Sequence, residues 1–240
     1  LTRRDENPAM RTFYLADVDR SKLGASLNYM ASDRLNLGVT SEYLDDDYSD
    51  SLLGLTEAQQ PSLLLDATYQ LSERISTHAY YNREEFKSQN AGIQNRQVTL
   101  PDWHARLKDS IDSVGLGVKF TGLLDKWVVG TDLVHTRSRG EIEMRNNITA
   151  TTSPDTIAVL DPIQQFPDLK TSLTSLQLWT RYQYSDKIAY KFSYWYEDYR
   201  SEDWTLDDVE ADSVDHLLLL GEDRLDYTQH VVGLAINVQF

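Results

Sequence analysis

The sequence predicts an all-β fold, a transmembrane antiparallel up-and-down β-barrel, on three observations. Apolar and polar residues alternate with period two in segment after segment, the mark of strands with two unlike faces. The connections alternate strictly between short and long. Outer-membrane barrels have tight periplasmic turns and long extracellular loops, whereas a soluble sandwich mixes its loop lengths. The last segment, Tyr227 to Phe240, sets Val232, Leu234, Ile236, Val238 and Phe240 against Gln229, Val231, Gly233, Ala235, Asn237 and Gln239. An apolar face closing on a terminal aromatic looks like the last strand of a barrel, and about ten such residues, tilted, cross the hydrocarbon layer.

Residues 1–19 are polar and read as an external loop feeding the first strand, where Leu23, Ala25, Leu27 and Tyr29 oppose Gly24, Ser26 and Asn28. A turn near 31–34 leads to Leu35, Leu37, Val39 and Tyr43, opposed by Asn36, Gly38, Thr40 and Glu42. A long loop is expected near 45–61. The third strand, Leu63 to Leu71, turns near 72–74 into the fourth, Ile75 to Asn82. After a loop near 85–110, the fifth sets Val114, Leu116, Val118 and Phe120 against Ser113, Gly115, Gly117 and Lys119. A turn near 125–126 gives the sixth, Trp127 to Val134. A loop near 141–170, with Pro154, Pro162 and Pro167, precedes the seventh strand, Ser175 to Tyr184. A turn near 185–187 gives the eighth, Ile188 to Glu197, and an acidic loop near 202–226 leads to the last strand.

Nine antiparallel spans begin and end in the same direction, so they cannot close on themselves with an antiparallel seam. Bacterial single-chain barrels normally have even counts. Residues 1–240 are therefore expected to be one barrel domain forming the C-terminal part of a larger barrel. The alternative is a tenth strand over Met10 to Ala16.

Composition narrows the function classes. With 23 Lys plus Arg, 38 Asp plus Glu and a net charge of −15, the chain repels nucleic-acid phosphates, and nucleic-acid binding is discarded. It has no cysteine, which removes disulfides, thiolate metal sites and covalent attachment of haem c to this sequence. No apolar run reaches the roughly 18 residues of a transmembrane helix. The 14 Tyr and 5 Trp suit strands and interfacial girdles. The polar start, Leu1-Thr2-Arg3-Arg4-Asp5, lacks signal-peptide character and reads as a mature form or as a start inside a longer protein.

The apolar faces end in aromatic residues: Tyr29, Tyr69, Phe120, Trp127, Tyr184 and Phe240 toward the short turns, Tyr43, Tyr81 and Tyr196 toward the loops. These are two girdles, at the depth where amphipathic rings sit among headgroups. The opposite faces carry Glu42, Asp66, His78, Lys119, Asp132, Arg181, Lys191 and Glu197. Charges there do not suit lipid and suit a wet lumen or a protein surface. They either solvate and pair along the wall or contact whatever fills the lumen. Glycines 24, 38, 115, 117, 130 and 233 share that inward parity. They leave room for a guest or relieve curvature, and sequence does not separate the two.

Motifs for catalysis are missing. There is no Gly-x-Ser-x-Gly elbow, P-loop or Gly-x-Gly-x-x-Gly, and histidines 78, 104, 135, 216 and 230 have no metal spacing. His78 and Ser193 share the inward parity, but nothing in the sequence brings them together. No enzyme activity is expected. The acidic runs, Asp45, Asp46, Asp47 and Asp50, and Asp203, Asp207, Asp208, Glu210 and Asp212, lack EF-hand spacing. They read as a solvated rim, with Ca²⁺ ligation by the first run as the weaker alternative.

Several segments carry a family resemblance by their order along the chain. They are Tyr14-Leu15-Ala16-Asp17-Val18-Asp19-Arg20, Asp45-Asp46-Asp47-Tyr48 before Leu53-Gly54-Leu55-Thr56, and Ala67-Thr68-Tyr69-Gln70-Leu71-Ser72 before Tyr80-Tyr81-Asn82-Arg83-Glu84. Val114-Gly115-Leu116-Gly117-Val118-Lys119, Phe166-Pro167-Asp168-Leu169, Tyr194-Trp195-Tyr196-Glu197 and Asp203-Trp204 follow, and Gly221-Glu222 and Asp226-Tyr227 lead to Phe240. Together they resemble the C-terminal half of the MtrB/PioB-type outer-membrane proteins. The N-terminal half, with the Cys-x-x-Cys of some members, has no counterpart in this sequence. The resemblance implies a large barrel in the bacterial outer membrane that sheathes a periplasmic multihaem c-type cytochrome, often passing electrons to a surface-exposed multihaem partner. It implies that the barrel insulates and positions while the cytochrome carries the haem c, with no cofactor on this chain. A diffusive porin or substrate channel is the rival. A channel is expected to show a constriction ringed by like charges, and the mixed inward signs favour a filled lumen.

Overall fold

The structure, a computed structural model, describes residues 16–48, 51–93, 101, 103–123, 126–146, 154, 166–206 and 226–239. Nine strands occur in chain order: β1 (Asp19–Ser32), β2 (Leu35–Asp47), β3 (Gly54–Ser72), β4 (Ile75–Gly92), β5 (Trp103–Leu123), β6 (Trp127–Asn146), β7 (Leu169–Ser185), β8 (Ile188–Glu202) and β9 (Tyr227–Val238). Each pairs antiparallel with the next in a single sheet. The sheet does not close; β1 and β9 are its edges, so the chain is part of a barrel wall.

Register follows from the period-two pattern, because a slip of one residue would turn a strand inside out. One unbroken row of cross-strand partners runs Tyr29, Leu37, Ala67, Ala79, Leu116, Leu133, Leu176, Tyr196 and His230. The paired residues assigned to the apolar side share this face. Among the described residues no second layer covers it: Leu116 is 53% exposed, Phe192 43%, Val238 48% and Leu234 81%. Apolar area left bare on one whole face of a sheet is area for lipid.

The apolar band also reports how the strands lean. In β1 it runs from Leu23 to Tyr29, and in β9 from Val232 to Val238. The row that contains Tyr29 meets β9 at His230, eight residues short of Val238. Eight residues are about 27 Å along a strand, against about 38 Å across eight inter-strand gaps. The strands are therefore tilted by about 35° from the normal to the band, the tilt of an outer-membrane barrel.

The short turns occur at Asp33-Arg34, Glu73-Arg74 and Asp186-Lys187, with Lys126 as a turn residue before β6. The last residue of each turn offers its carbonyl to the strand two places on. Gln70 N–H donates to Arg34 O, Thr121 to Arg74, Gln183 to Lys126 and Gln239 to Lys187, at 2.8–2.9 Å. Ahead of Lys126, Gly122 adopts φ 79°, a conformation that glycine takes without steric cost.

At the other end the strands run far past the expected loop boundaries. β2 extends to Asp47 and β3 begins at Gly54; β4 extends to Gly92 and β5 begins at Trp103; β6 extends to Asn146 and β7 begins at Leu169. Much of the segments 45–61 and 85–110, and residues 141–146 and 169–170 of the third, is therefore strand. Alternation does not stop there. Its outward members change from apolar to charged, as in Arg83, Glu85 and Lys87, while backbone pairing continues. β5, with 21 residues, is about 70 Å long and stands well clear of a hydrocarbon layer. The candidate tenth strand (apart from Ala16), Phe240 and the acidic residues 207–212 lie outside the described residues.

Candidate lumenal wall and comparisons with known proteins

The polar face is built by the same registers. Asp66 pairs with Gly38 and Tyr80, His78 with Gly117, Lys119 with Gly130, Asp132 with Gly117 and Gln177, and Arg181 with Lys191. With Glu42 and Glu197, all eight charged residues read from sequence as inward-facing occupy this one face.

Their neighbours divide them into two groups. Five are engaged by the wall itself. Glu42 pairs with Lys22 at 3.1 Å, and His78 Nε2 lies 3.3 Å from Asp132 Oδ1. The carboxylate of Asp66 covers Gly38. Glu197 is 7% exposed and accepts from Gln229 and from the Tyr227 hydroxyl. Lys119, Arg181 and Lys191 have no carboxylate within 4.0 Å among the described residues; Arg181 donates to Gln183 Oε1 at 3.1 Å. These three share the short-turn end of the face, and the carboxylates stand above them. The signs are therefore sorted along the strands. Both signs are present on the face, as read from the sequence; their order by height was hidden there because strands run in alternate directions.

The inward glycines have a specific use. A β-carbon on Gly130 would fall within the indole of Trp179. On Gly115 it would meet the ring of Tyr80, on Gly117 the ring of His78, and on Gly92 the ring of Trp103. Each bulky side chain belongs to an adjacent strand and lies over the glycine beside it. The space left by these glycines is filled by the wall's own side chains.

The acidic run does not converge on a cation. Asp45 and Asp47 point to one side of β2 and Asp46 to the other, as strand alternation requires. Asp46 is 2% exposed and takes a bidentate pair from Arg20 at 2.6 and 2.7 Å. Asp50 lies outside the described residues. His78 and Ser193 lie four strands apart on the sheet, and Ser193 covers Gly233 instead.

A family model described as "Putative outer membrane beta-barrel porin, MtrB/PioB" matches residues 1–240. The chain belongs to the MtrB/PioB family. "Outer membrane protein MtrB" of Shewanella baltica (strain OS185) is 25% identical over 237 residues, which are 98% of this chain and 32% of that protein. This MtrB/PioB chain thus spans about a third of the length of the relative it matches. Among solved structures it resembles the copper transporter OprC, with TM-score 0.63, 10% identity, and coverage of 91% of this chain and 34% of OprC. It also resembles BauA, the ferric preacinetobactin receptor of Acinetobacter baumannii, with TM-score 0.54, 12% identity, and coverage of 91% and 37%. These likenesses are of fold. The MtrB/PioB chain is an outer-membrane β-barrel porin by family, and the family is not one of enzymes.

In the outer membrane the apolar band of this MtrB/PioB wall faces lipid. By the rule for outer-membrane barrels, the short turns are expected at the periplasmic end and the protruding strands at the extracellular end. Tyr29, Tyr69, Phe120, Trp127 and Tyr184 border the band below, and Tyr43, Tyr81 and Tyr196 border it above. At the slope of the strands the band is about 22 Å tall, close to the roughly 25 Å of outer-membrane barrels. Directly above it the same face carries a row of partners, Arg83, Asp112, Arg137, Ser172 and Arg200. Sequence reasoning missed this row, although two of its cations sit in plain alternation, Arg83-x-Glu85-x-Lys87 and Arg137-x-Arg139-x-Glu141. Glu85, above the lipid, accepts from Lys87 and Arg83, both at 2.8 Å. Those two cations hold its carboxyl at about 2, well below the usual carboxylate range.

Proposed function

We propose that this wall forms part of a porin-like sheath around a periplasmic multihaem c-type cytochrome, insulating it as electrons cross the outer membrane. The observation that carries the reading is the lumenal face, where bulky side chains lie over glycines. A selective pore narrows its lumen with projecting side chains. Here four bulky inward residues, Trp179, Tyr80, His78 and Trp103, are laid over glycines, which leaves more room at those places for a folded guest. The family likeness to MtrB supports the same reading. The three uncompensated cations, Lys119, Arg181 and Lys191, supply a basic collar at the entrance for an acidic face of the guest. The haem c belongs to the guest, since this sequence has no cysteine to attach it. The barrel contributes exclusion of lipid and position, not redox chemistry, and no catalytic step is assigned to it. A surface-exposed multihaem cytochrome at the extracellular rim is the next carrier in this scheme.

A second reading, a diffusive channel, draws on the same collar, because like charges at one level are what a selective constriction uses. Purification of the complete barrel from native membranes decides between them. The sheath reading expects haem absorbance and haem-staining protein to co-elute with the barrel through detergent exchange. A colourless barrel that conducts ions freely in a planar bilayer would overturn it in favour of the channel.

A further inference from the structure

The lipid-facing side carries a second site, independent of what fills the lumen. A groove above the apolar band is lined by Arg83, Lys108, Arg137, Arg139, Lys170 and Arg200. Three carboxylates, Asp112, Glu141 and Glu202, and the hydroxyls of Ser110 and Ser172 complete its walls. The six cations meet seven carboxylates, four of them (Glu85, Asp168, Asp198 and Asp226) just outside the groove, so only a cation left out of these pairs is open to an anion.

Most of these cations are committed to carboxylates. Arg83 reaches Glu85 and Asp112, Lys108 reaches Glu141, Arg139 reaches Glu141 and Asp168, Lys170 reaches Glu202, and Arg200 reaches Asp198 and Asp226. Arg137 differs. Its Nε donates to His135 Nε2 at 3.0 Å, and no carboxylate lies within 4.0 Å of it among the described residues. It sits mid-row, between Asp112 and Ser172. The row immediately below contains Tyr81, Val114, His135 and Thr174, the upper border of the lipid band. One row is about 7 Å along a strand, so Arg137 stands at headgroup depth in the outer leaflet.

We propose that this groove binds the phosphorylated headgroup of an outer-leaflet lipid, with Arg137 as its central phosphate ligand. A guanidinium with free terminal N–H groups forms paired hydrogen bonds to phosphate oxygens. Basic pockets at the interface collect anionic headgroups in the same way. The flanking Arg200, 59% exposed at its side chain, is near enough to add a second contact. The acyl chains of such a lipid lie against Leu116, Leu133 and Leu176 below.

The test uses the complete barrel, delipidated in detergent and titrated with bisphosphorylated lipid A by native mass spectrometry. Wild type is expected to bind it at least tenfold more tightly than the dephosphorylated lipid, a comparison that needs no variant. Arg137→Gln is expected to lower binding at least fivefold, and Arg34→Gln, at the periplasmic turn, to leave it unchanged. Heat-modifiable migration on gels verifies that each variant is folded. Equal binding of the two lipids, or wild-type binding by folded Arg137→Gln, would overturn the proposal. Complete competition by millimolar inorganic phosphate would overturn the lipid assignment and leave a free-phosphate site.

Discussion

Trp179 lies over Gly130, its cross-strand partner, with its indole where a β-carbon at position 130 would have to go. The same relation joins Tyr80 to Gly115 and His78 to Gly117. At these three places bulk is thus stored sideways, along the sheet.

Gly130→Ala is therefore expected to cost about 1–3 kcal/mol, the range for overpacking a filled site, and to push the indole inward. Gly24 is the control. A β-carbon there meets nothing closer than 3.6 Å, so Gly24→Ala is expected to change stability by no more than about 0.5 kcal/mol. Urea unfolding of the complete barrel in micelles, with Trp fluorescence as the signal, reads both.

The assignment of faces predicts a contrast within one strand. Leu234, on the lipid side near mid-band, is expected to lose about 2–4 kcal/mol as Leu234→Arg. Asn237→Arg, on the lumenal side of the same strand, is expected to cost less than about 1 kcal/mol. Equal costs in reversible unfolding from liposomes would refute the orientation of the sheet.

The basic collar is expected to set how firmly the guest is held. Reversing it with K119E, R181E and K191E together is expected to reduce co-purified haem at least tenfold while the barrel still folds. Unchanged haem content would remove these residues from the docking surface.

Acid is expected to loosen the extracellular rim late. A carboxyl whose folded pKa is depressed contributes stability that is complete above its unfolded value and lost as pH falls through the folded one. For Glu85 that window runs from about 4.5 down to about 2. Glu85→Gln is expected to destabilise by about 0.5–1 kcal/mol at pH 7, as for an exposed charge network. The difference from wild type should close near pH 2. Thermal melts across pH 2–7 follow this directly.

Much of the wall was legible in the sequence because a strand has only two faces. Leu23 through Tyr29 and Val232 through Val238 name their side by parity alone, and the turns at 31–34, 72–74 and 185–187 bracket the strands without ambiguity. The ends of the strands were less legible. Expected loops began where apolar residues stopped, at Glu85 or Glu141, but hydrogen bonding between β4, β5 and β6 does not depend on the hydrophobicity of the side chains. The row of Arg83, Arg137 and Arg200 was hidden for the same reason.

By itself the sequence determined which residues share each face of the sheet, because period two is a local property of each strand. Only the tertiary structure decided what stands beside what. Cross-strand register places Trp179 over Gly130, sorts Lys119, Arg181 and Lys191 to one end of the lumenal face, and gathers Arg83, Arg137 and Arg200 above the band. Register is a relation between segments far apart in the chain, set when the backbone pairs, and no single strand contains it.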